Sequence, residues 1–447
     1  MTRSLFYFAN NAISGANNVL AQIMQGLEGA GQQVDAICAD QAKAQRWQPL
    51  DRPFLSCEGE DLFHSYDFVI VSKLFLMPLA LQGMKTGMPV LICQEIEEFH
   101  RQSLKEILSL PVPIVATSKP MRAAILEATG REPFLLPLAV DRSLFRPAND
   151  NKKRRDGVSR ILMVGDFLRP EKAMLEGFAA IEKLSKEVPV QLVLITQREG
   201  AEKILETFSV PVEVHYRPAQ VELPLIYQSC DVYCCPSHFE NFPLPPLEAF
   251  NCRVPVVSTR NRGIFSYGID GVNLLLAQVG SIDDLCSKLR LLLSSPELAQ
   301  KLVANAFETA KQFDWNTTLE LFLSYQILLK EEIGRLSPFE TADMERLLSN
   351  LEADGLYTPV QVKSKCKVLF ASFTNVCTAL IENKLTAEEV VGPLSSLRND
   401  LRPYLVTDTT EYYESVKRRY DLCQLMLGLV NDKRALRQAA MIGARKH

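Results

Sequence analysis

The strongest constraint on how this chain can fold is an alternation that occurs twice. Short apolar runs at Ser4–Phe8, Val34–Cys38, Phe68–Ser72, Val90–Cys93, Ile114–Thr117 and Phe134–Leu136 alternate with helix-like stretches such as Asn17–Ala30 and Lys119–Thr129. Strands apolar along their whole length must be covered on both faces, which predicts a parallel sheet sandwiched by helices. The charged stretch Ala148–Arg160 (ANDNKKRRDGVSR) interrupts the series and reads as a linker. A second series follows at once. Its predicted strands are Ile161–Val164, Gln191–Ile195, Val212–Tyr216, Asp231–Cys235, Val254–Ser258 and Asn273–Leu276. Its predicted helices include Glu171–Lys186, Leu223–Ser229, Leu244–Asn251 and Ile282–Leu293.

The expected architecture is therefore α/β: two facing Rossmann-like domains, with a ligand cleft at the carboxyl ends of the strands. The first spans residues 1–147, the linker 148–160, and the second 161–332. Residues 333–447 are different in kind. Strand-like runs become scarce, and apolar residues recur at helical spacing: Cys366, Phe370, Phe373, Cys377 and Leu380, then Tyr413, Val416, Tyr420, Cys423, Leu427 and Val430. Such stripes mark buried helix faces. They fit an added helical region packed within the chain, and they also fit a seam for a homo-oligomer.

Composition narrows the function classes. With 447 residues and 49 Lys+Arg against 53 Asp+Glu, the chain does not read as a nucleic-acid coat. The 11 cysteines are odd in number and contain no CxxC pair, which fits a reducing cytoplasm rather than a disulfide framework. No run approaches the ~20 apolar residues of a spanning helix. A cytoplasmic protein is expected, with peripheral contact at the inner face of a membrane left open. Arg101, Lys105, Lys119, Arg122 and Arg131 would serve such a surface or an acidic acceptor, and a solvated exterior explains them equally well.

Chemistry concentrates between Pro236 and Leu276. Glu240 follows a predicted strand, and Glu248 lies eight residues on, inside the helix that Pro245 and Pro246 would open. A helix start offers free amides and partial positive charge, which suits a diphosphate. Carboxylates on either side suit the hydroxyl-rich groups flanking it. Two solvated carboxylates near a helix start are the plainer alternative. No Asp-x-Asp pair occurs, and the five histidines show no metal-ligand spacing.

This segment resembles the retaining glycosyltransferases of the two-Rossmann-domain type (GT-B), the sucrose-synthase-like group often called family 4. Their E-x7-E is matched by Glu240 and Glu248, and their P-V-V by Pro255-Val256-Val257. The resemblance implies that Glu240 contacts the donor sugar and Glu248 the nucleotide ribose, with Asn241, Phe242 and Leu244 in the donor loop. Pro243 stands where the family commonly has glycine, and it lacks an N–H. Lys172, in ILMVGDFLRPEKAMLEGF, matches the lysine that neutralises the donor diphosphate; Asp166 stands where an arginine is common, and Arg169 is a candidate replacement. Gly15 resembles the glycine of the first-domain loop, and Tyr216 lies where the nucleobase pocket forms. At the acceptor side, Gln94, Glu95 and Glu97 resemble the Gln-Asp-x-Glu of rhamnan-type transferases, with Glu95 placed to orient or deprotonate the acceptor hydroxyl.

The function implied is transfer of a sugar from a nucleotide-sugar to an acceptor hydroxyl, with retention, in bacterial-type glycan or glycoconjugate synthesis. Lys172, Glu240 and Glu95 are the expected catalytic residues. No metal or other cofactor is expected, because Lys172, Arg169 and helix dipoles replace the cation. The acceptor would be a glycan, a lipid-linked sugar or a protein. A non-catalytic partner of the same fold and a nucleotide-sugar epimerase-type enzyme are the alternatives.

Overall fold

A computed structural model describes residues 1–8, 15–38, 54–55, 66–77, 80–81, 88–94, 102–148, 157–167, 169–197 and 208–332; further along it describes 346, 372–373, 375–380, 384–386, 388–401, 419–420, 422–423, 426–427, 436 and 440. The chain divides into two compact units. One comprises Met1–Leu138, Asn316–Val376 and Gly392–Cys423; the other comprises Ala139–Trp315, Cys377–Val391 and Gln424–His447.

The first unit is built on six strands, β1 (Arg3–Phe8), β2 (Gln33–Cys38), β3 (Phe68–Val71), β4 (Met88–Cys93), β5 (Ile114–Ala116) and β6 (Phe134–Leu135). They are parallel and ordered β2-β1-β3-β4-β5-β6. The crossovers include α1 (Gly15–Gly29), α2 (Gln102–Ser109) and α3 (Lys119–Thr129). Local signals set α3: Ser118 Oγ accepts the Met121 amide, Pro120 sits in the first turn, and Gly130 closes the helix at φ 68°.

The second unit repeats the plan with β7 (Ser159–Val164), β8 (Val190–Thr196), β9 (Val212–Tyr216), β10 (Val232–Cys235), β11 (Val256–Thr259) and β12 (Leu275–Ala277), ordered β12-β11-β10-β7-β8-β9. Its helices are α4 (Met174–Ser185), α5 (Leu223–Gln228), α6 (Leu244–Asn251), α7 (Ile282–Ser294) and α8 (Pro296–Ala310). All twelve strands read from the sequence are present, with ends displaced by no more than two residues. The inner strands β3 and β10 are apolar and buried throughout because both faces are covered, whereas the edge strand β9 (VEVHY) is half-buried along its length.

Two segments depart from the sequence expectation. The helix expected over Glu171–Lys186 begins only at Met174. Pro170–Lys172 form a separate 3-10 turn, and Ala173 between them has φ 46°. The second is α9 (Trp315–Glu332), which the sequence division assigns to the second domain. From Asn316 onward it packs in the first unit. A side chain at Gly26 of α1 would come within 2.7 Å of Leu319, so the glycine is what lets α9 approach. Tyr325 stacks on Phe134 at 4.0 Å, Thr318 donates to the Pro137 carbonyl at 2.9 Å, and buried Gln326 donates to Ser4 Oγ at 3.2 Å.

Of the described members of the C-terminal stripes, Phe373, Cys377, Leu380 and Cys423 are buried, and Tyr420 and Leu427 are half-buried. The described residues there include one further helix, α10 (Val391–Leu401). Among the described residues no helix is long and apolar enough to cross a membrane.

Candidate functional site

In the second sheet the strand order reverses between β7 and β10. The loops leaving the carboxyl ends of these two neighbours diverge to opposite sides, and ligands bind at such crevices in α/β sheets. The loop after β7 carries Lys172; the loop after β10 carries Glu240. Lys172 Nζ donates to Glu240 Oε1 at 2.8 Å and to Oε2 at 2.9 Å. Ser237 Oγ donates to Glu240 Oε1 at 2.7 Å. The pair is largely removed from water, the side chains being 25% and 13% exposed. The two expected catalytic residues of the second domain, 68 positions apart, are thus directly joined.

The backbone holds them there. Glu171 O accepts the His238 amide at 2.8 Å and the Phe239 amide at 3.4 Å, which ties one loop to the other. Ala173, in the left-handed region, ends the 3-10 turn before α4 starts, so Lys172 sits on a turn rather than on the helix that follows. Among the described residues, three non-glycine positions have positive φ: Ala173, Arg217 and Arg253. The first two adjoin Lys172 and Tyr216, and the third closely follows the helix of Glu248. Strained backbone clusters at functional loops because surrounding contacts must enforce it.

A third loop completes the frame. Asn261 caps the 3-10 turn Arg262–Ser266 by accepting the Ile264 amide at 3.0 Å, and it donates to Ser258 Oγ at 3.1 Å. Thr259 Oγ1 donates to the Ser237 carbonyl. Gly263 lies so close to the Glu240 loop that a Cβ would stand 2.7 Å from the Glu240 carbonyl oxygen. Only glycine allows that approach.

Beyond Glu240 the chain enters α6. Phe242 is buried against Tyr267 at 5.5 Å and Phe313 at 5.8 Å, so its ring belongs to the core and only its backbone faces the loop. Pro243 is the residue preceding the helix, and its carbonyl accepts the Tyr267 hydroxyl. Three of the four residues from 243 to 246 are proline. The free amides expected at this helix start therefore reduce to that of Leu244, with the helix dipole behind it.

Glu248 is half-buried within α6, and Tyr227 of α5 donates to its Oε2 at 2.6 Å. Burial pushes the Glu248 carboxyl up to about 7, against the opposing pull of the Tyr227 hydrogen bond.

The other expected residues fall as follows. Arg169 pairs with Glu171 on its own turn, so its guanidinium is engaged beside Lys172 rather than held in reserve. Tyr216 ends β9, two strands from β7. Its neighbour His215 is structural: Nε2 meets Glu213 Oε1 at 2.8 Å, and Glu213 in turn pairs with buried Arg160. In the first unit, Gln94 at the end of β4 donates to the Ala16 carbonyl at 3.3 Å, beside Gly15 at the start of α1. Glu95 and Glu97 lie outside the described residues. Sequence reasoning missed Ser237, Tyr227 and Gly263. Ser237 lies three residues before Glu240 and was within reach of motif reading, whereas nothing local links Tyr227 to Glu248. Among the described residues no cluster of His, Cys, Asp and Glu could hold a metal ion.

Residues 145–309 match the family described as Glycosyl transferases group 1. Similar curated proteins include the MMP alpha-(1->4)-mannosyltransferase of Mycolicibacterium hassiacum, 29% identical over 190 residues, covering 41% of this chain and 45% of the relative. The D-inositol 3-phosphate glycosyltransferase of Thermomonospora curvata is 26% identical over 250 residues, covering 49% and 58%. The chain thus spans about half the length of the curated relatives it matches. Among solved structures, sucrose-phosphate synthase from Thermosynechococcus elongatus superposes with a TM-score of 0.62 at 17% identity, covering 74% of this chain and 99% of that one. Anabaena HepE in complex with UDP-glucose gives 0.62 at 17%, covering 73% and 99%. The fold is the two-domain Rossmann-like GT-B fold of these neighbours.

Proposed function

We propose that this chain is a glycosyltransferase that moves a sugar from a nucleotide-sugar donor to an acceptor hydroxyl, with retention of anomeric configuration and no required metal. The observation that carries the reading is the meeting of Lys172 and Glu240 where the strand order reverses, within the stretch matched to Glycosyl transferases group 1. The activities named for the curated relatives and the UDP-glucose complex of a chain of the same fold support it.

The residues divide the work by charge. As the bond from the sugar to the diphosphate breaks, negative charge gathers on the leaving group, and a fixed cation beside it lowers the barrier. Lys172 supplies that cation. Before a donor arrives, Glu240 neutralises it, so neither charge is left uncompensated in a partly dry site. An incoming diphosphate takes over the lysine and releases Glu240 toward the sugar hydroxyls. Glu248 holds the ribose, Glu95 takes the acceptor proton, and Gln94 and Glu97 serve the acceptor side. The acceptor is a glycan, lipid-linked or protein hydroxyl of bacterial-type glycan synthesis.

A thermal-shift screen of nucleotide-sugars, followed by a transfer assay with NMR of the product anomer, tests this. A donor that binds must raise the melting temperature by mass action. The expected result is a shift with at least one donor, a product of unchanged configuration, and turnover that survives a chelator. An inverted product removes the retention claim, and loss of turnover with chelator removes the metal claim. The prolines at 243, 245 and 246 favour a second reading, a nucleotide-binding partner without turnover; binding with no transfer to any acceptor selects it.

A further inference from the structure

Glu248 has a partner that the functional reading does not use. Tyr227 reaches it from α5, a different helix, and is fully buried. Its ring is wedged by Phe145, edge-on at 5.9 Å, and by Tyr233 at 6.0 Å, so the hydroxyl has one direction in which to point. That hydroxyl donates to Oε2 of Glu248 at 2.6 Å. The other oxygen, Oε1, accepts no hydrogen bond among the described residues. A glutamate on a helix otherwise samples several rotamers, and an anchored oxygen removes most of that freedom.

We propose that Tyr227 is a positioning residue for ligand recognition: by clamping Oε2 it fixes Glu248 so that Oε1 is presented to the vicinal hydroxyls of a ribose. The proposal rests on the donor reading above, in which Glu248 meets the nucleotide. Its consequence is specificity. A clamped carboxylate rejects a nucleotide without those hydroxyls, because its acceptor oxygen is then left unpaired.

The electrostatic surroundings make the clamp readable. The titratable groups around Glu248 are Tyr227 on α5, Tyr267 after the 262–266 turn and Cys252 at the end of α6, with Tyr233 on β10 packed against Tyr227. Burial pushes all four upward, so they stay neutral near pH 7. Glu248 is therefore the group that changes charge there, and its two determinants are burial and Tyr227.

The test is calorimetric binding of UDP and GDP, each beside its 2′,3′-dideoxy counterpart, to the full-length protein and to Tyr227→Phe. The full-length protein should prefer the ribonucleotide by about tenfold or more, as expected for hydrogen bonds to a charged group. That preference should rise as pH increases through the Glu248 transition, the nucleotide phosphate titrating alike in both ligands. Tyr227→Phe keeps the ring but drops the clamp. Its ribose preference should fall to about threefold or less. Its pH midpoint should move upward, because the hydrogen bond that favoured the charged form is gone.

An unchanged preference and midpoint in a cooperatively unfolding Tyr227→Phe protein overturns the clamp alone. Should that variant not fold, Glu248→Gln carries the test: Tyr227 still donates to the amide oxygen, and the pH step must vanish. A step that persists overturns the assignment. A full-length protein that binds UDP or GDP but ignores the ribose hydroxyls overturns it as well. If neither nucleotide binds, the donor reading falls and takes the clamp with it.

Discussion

The two sheets share a plan and differ at their working edges. Where the order reverses in the second sheet, a lysine and a glutamate from the loops after neighbouring strands pair. Their loops are stitched by backbone bonds, and a glycine admits a third loop into contact. At the edge of the first sheet Gln94 donates to the Ala16 carbonyl at 3.3 Å, and among the described residues a Cβ on Gly15 would meet nothing within 4 Å. Among the described residues, the second edge is braced by an ion pair in advance, whereas Gly15 at the first has open space in front of it. The frame is common to both units, so the difference lies in loop residues, where function resides on a fold.

Substitutions at matched positions can break that contrast. Lys172→Ala should have the largest effect, cutting turnover about 100-fold or more while weakening donor binding less. Full turnover by that variant would remove the brace from the chemistry. Next comes the pair of glycines. Gly263→Ala forces a Cβ against the Glu240 carbonyl and should cost about 1–3 kcal/mol in urea unfolding. Gly15→Ala should leave stability unchanged or raise it by up to ~1 kcal/mol, lowering donor affinity alone. Equal costs at the two glycines would erase the distinction.

The third prediction uses pH. The Glu248 carboxyl ordinarily titrates at 4.5 and is held at about 7, so the folded chain binds this proton more tightly than the unfolded chain does. Its contribution to stability is full below about 4.5, declines as pH rises to about 7 and is lost above that. Urea midpoints at about pH 5 and about pH 8 should show the decline, and Glu248→Gln should flatten it. The smallest effect is expected from Gln94→Ala, about a threefold rise in acceptor KM with donor affinity unchanged. A large loss of donor affinity there would show that the first edge takes part in donor binding.

Much of this was legible because it is local. Strand periodicity is a property of consecutive residues, and so is the spacing of Glu240 and Glu248 on a loop and the helix that follows it. What was not legible depends on pairing across distance. Lys172 and Glu240 are neighbours only because β7 and β10 are adjacent, which strand propensity does not state. The bond from Tyr227 to Glu248 requires two helices to be packed first. The turn at Ala173 defies propensity, since a non-glycine residue enters the left-handed region only when contacts on both sides demand it. Arg169 looked available as a cation because its partner, Glu171, is two residues away and opposite in charge, an arrangement equally common in solvated turns.

The return of α9 has a consequence for biosynthesis. Ser4 and Gln326, hydrogen-bonded in the finished first unit, are separated by 322 positions. A ribosome thus delivers β1 long before the helix that covers it, and the whole second sheet emerges in between. The first sheet, made first, is covered by α9 only after the second sheet has been made. A nascent chain stalled before Trp315 would hold a completed second sheet beside a first one whose Phe134 ring and Gly26 groove still face water. Chaperone demand should therefore fall on the N-terminal unit, although it is the earlier to leave the tunnel.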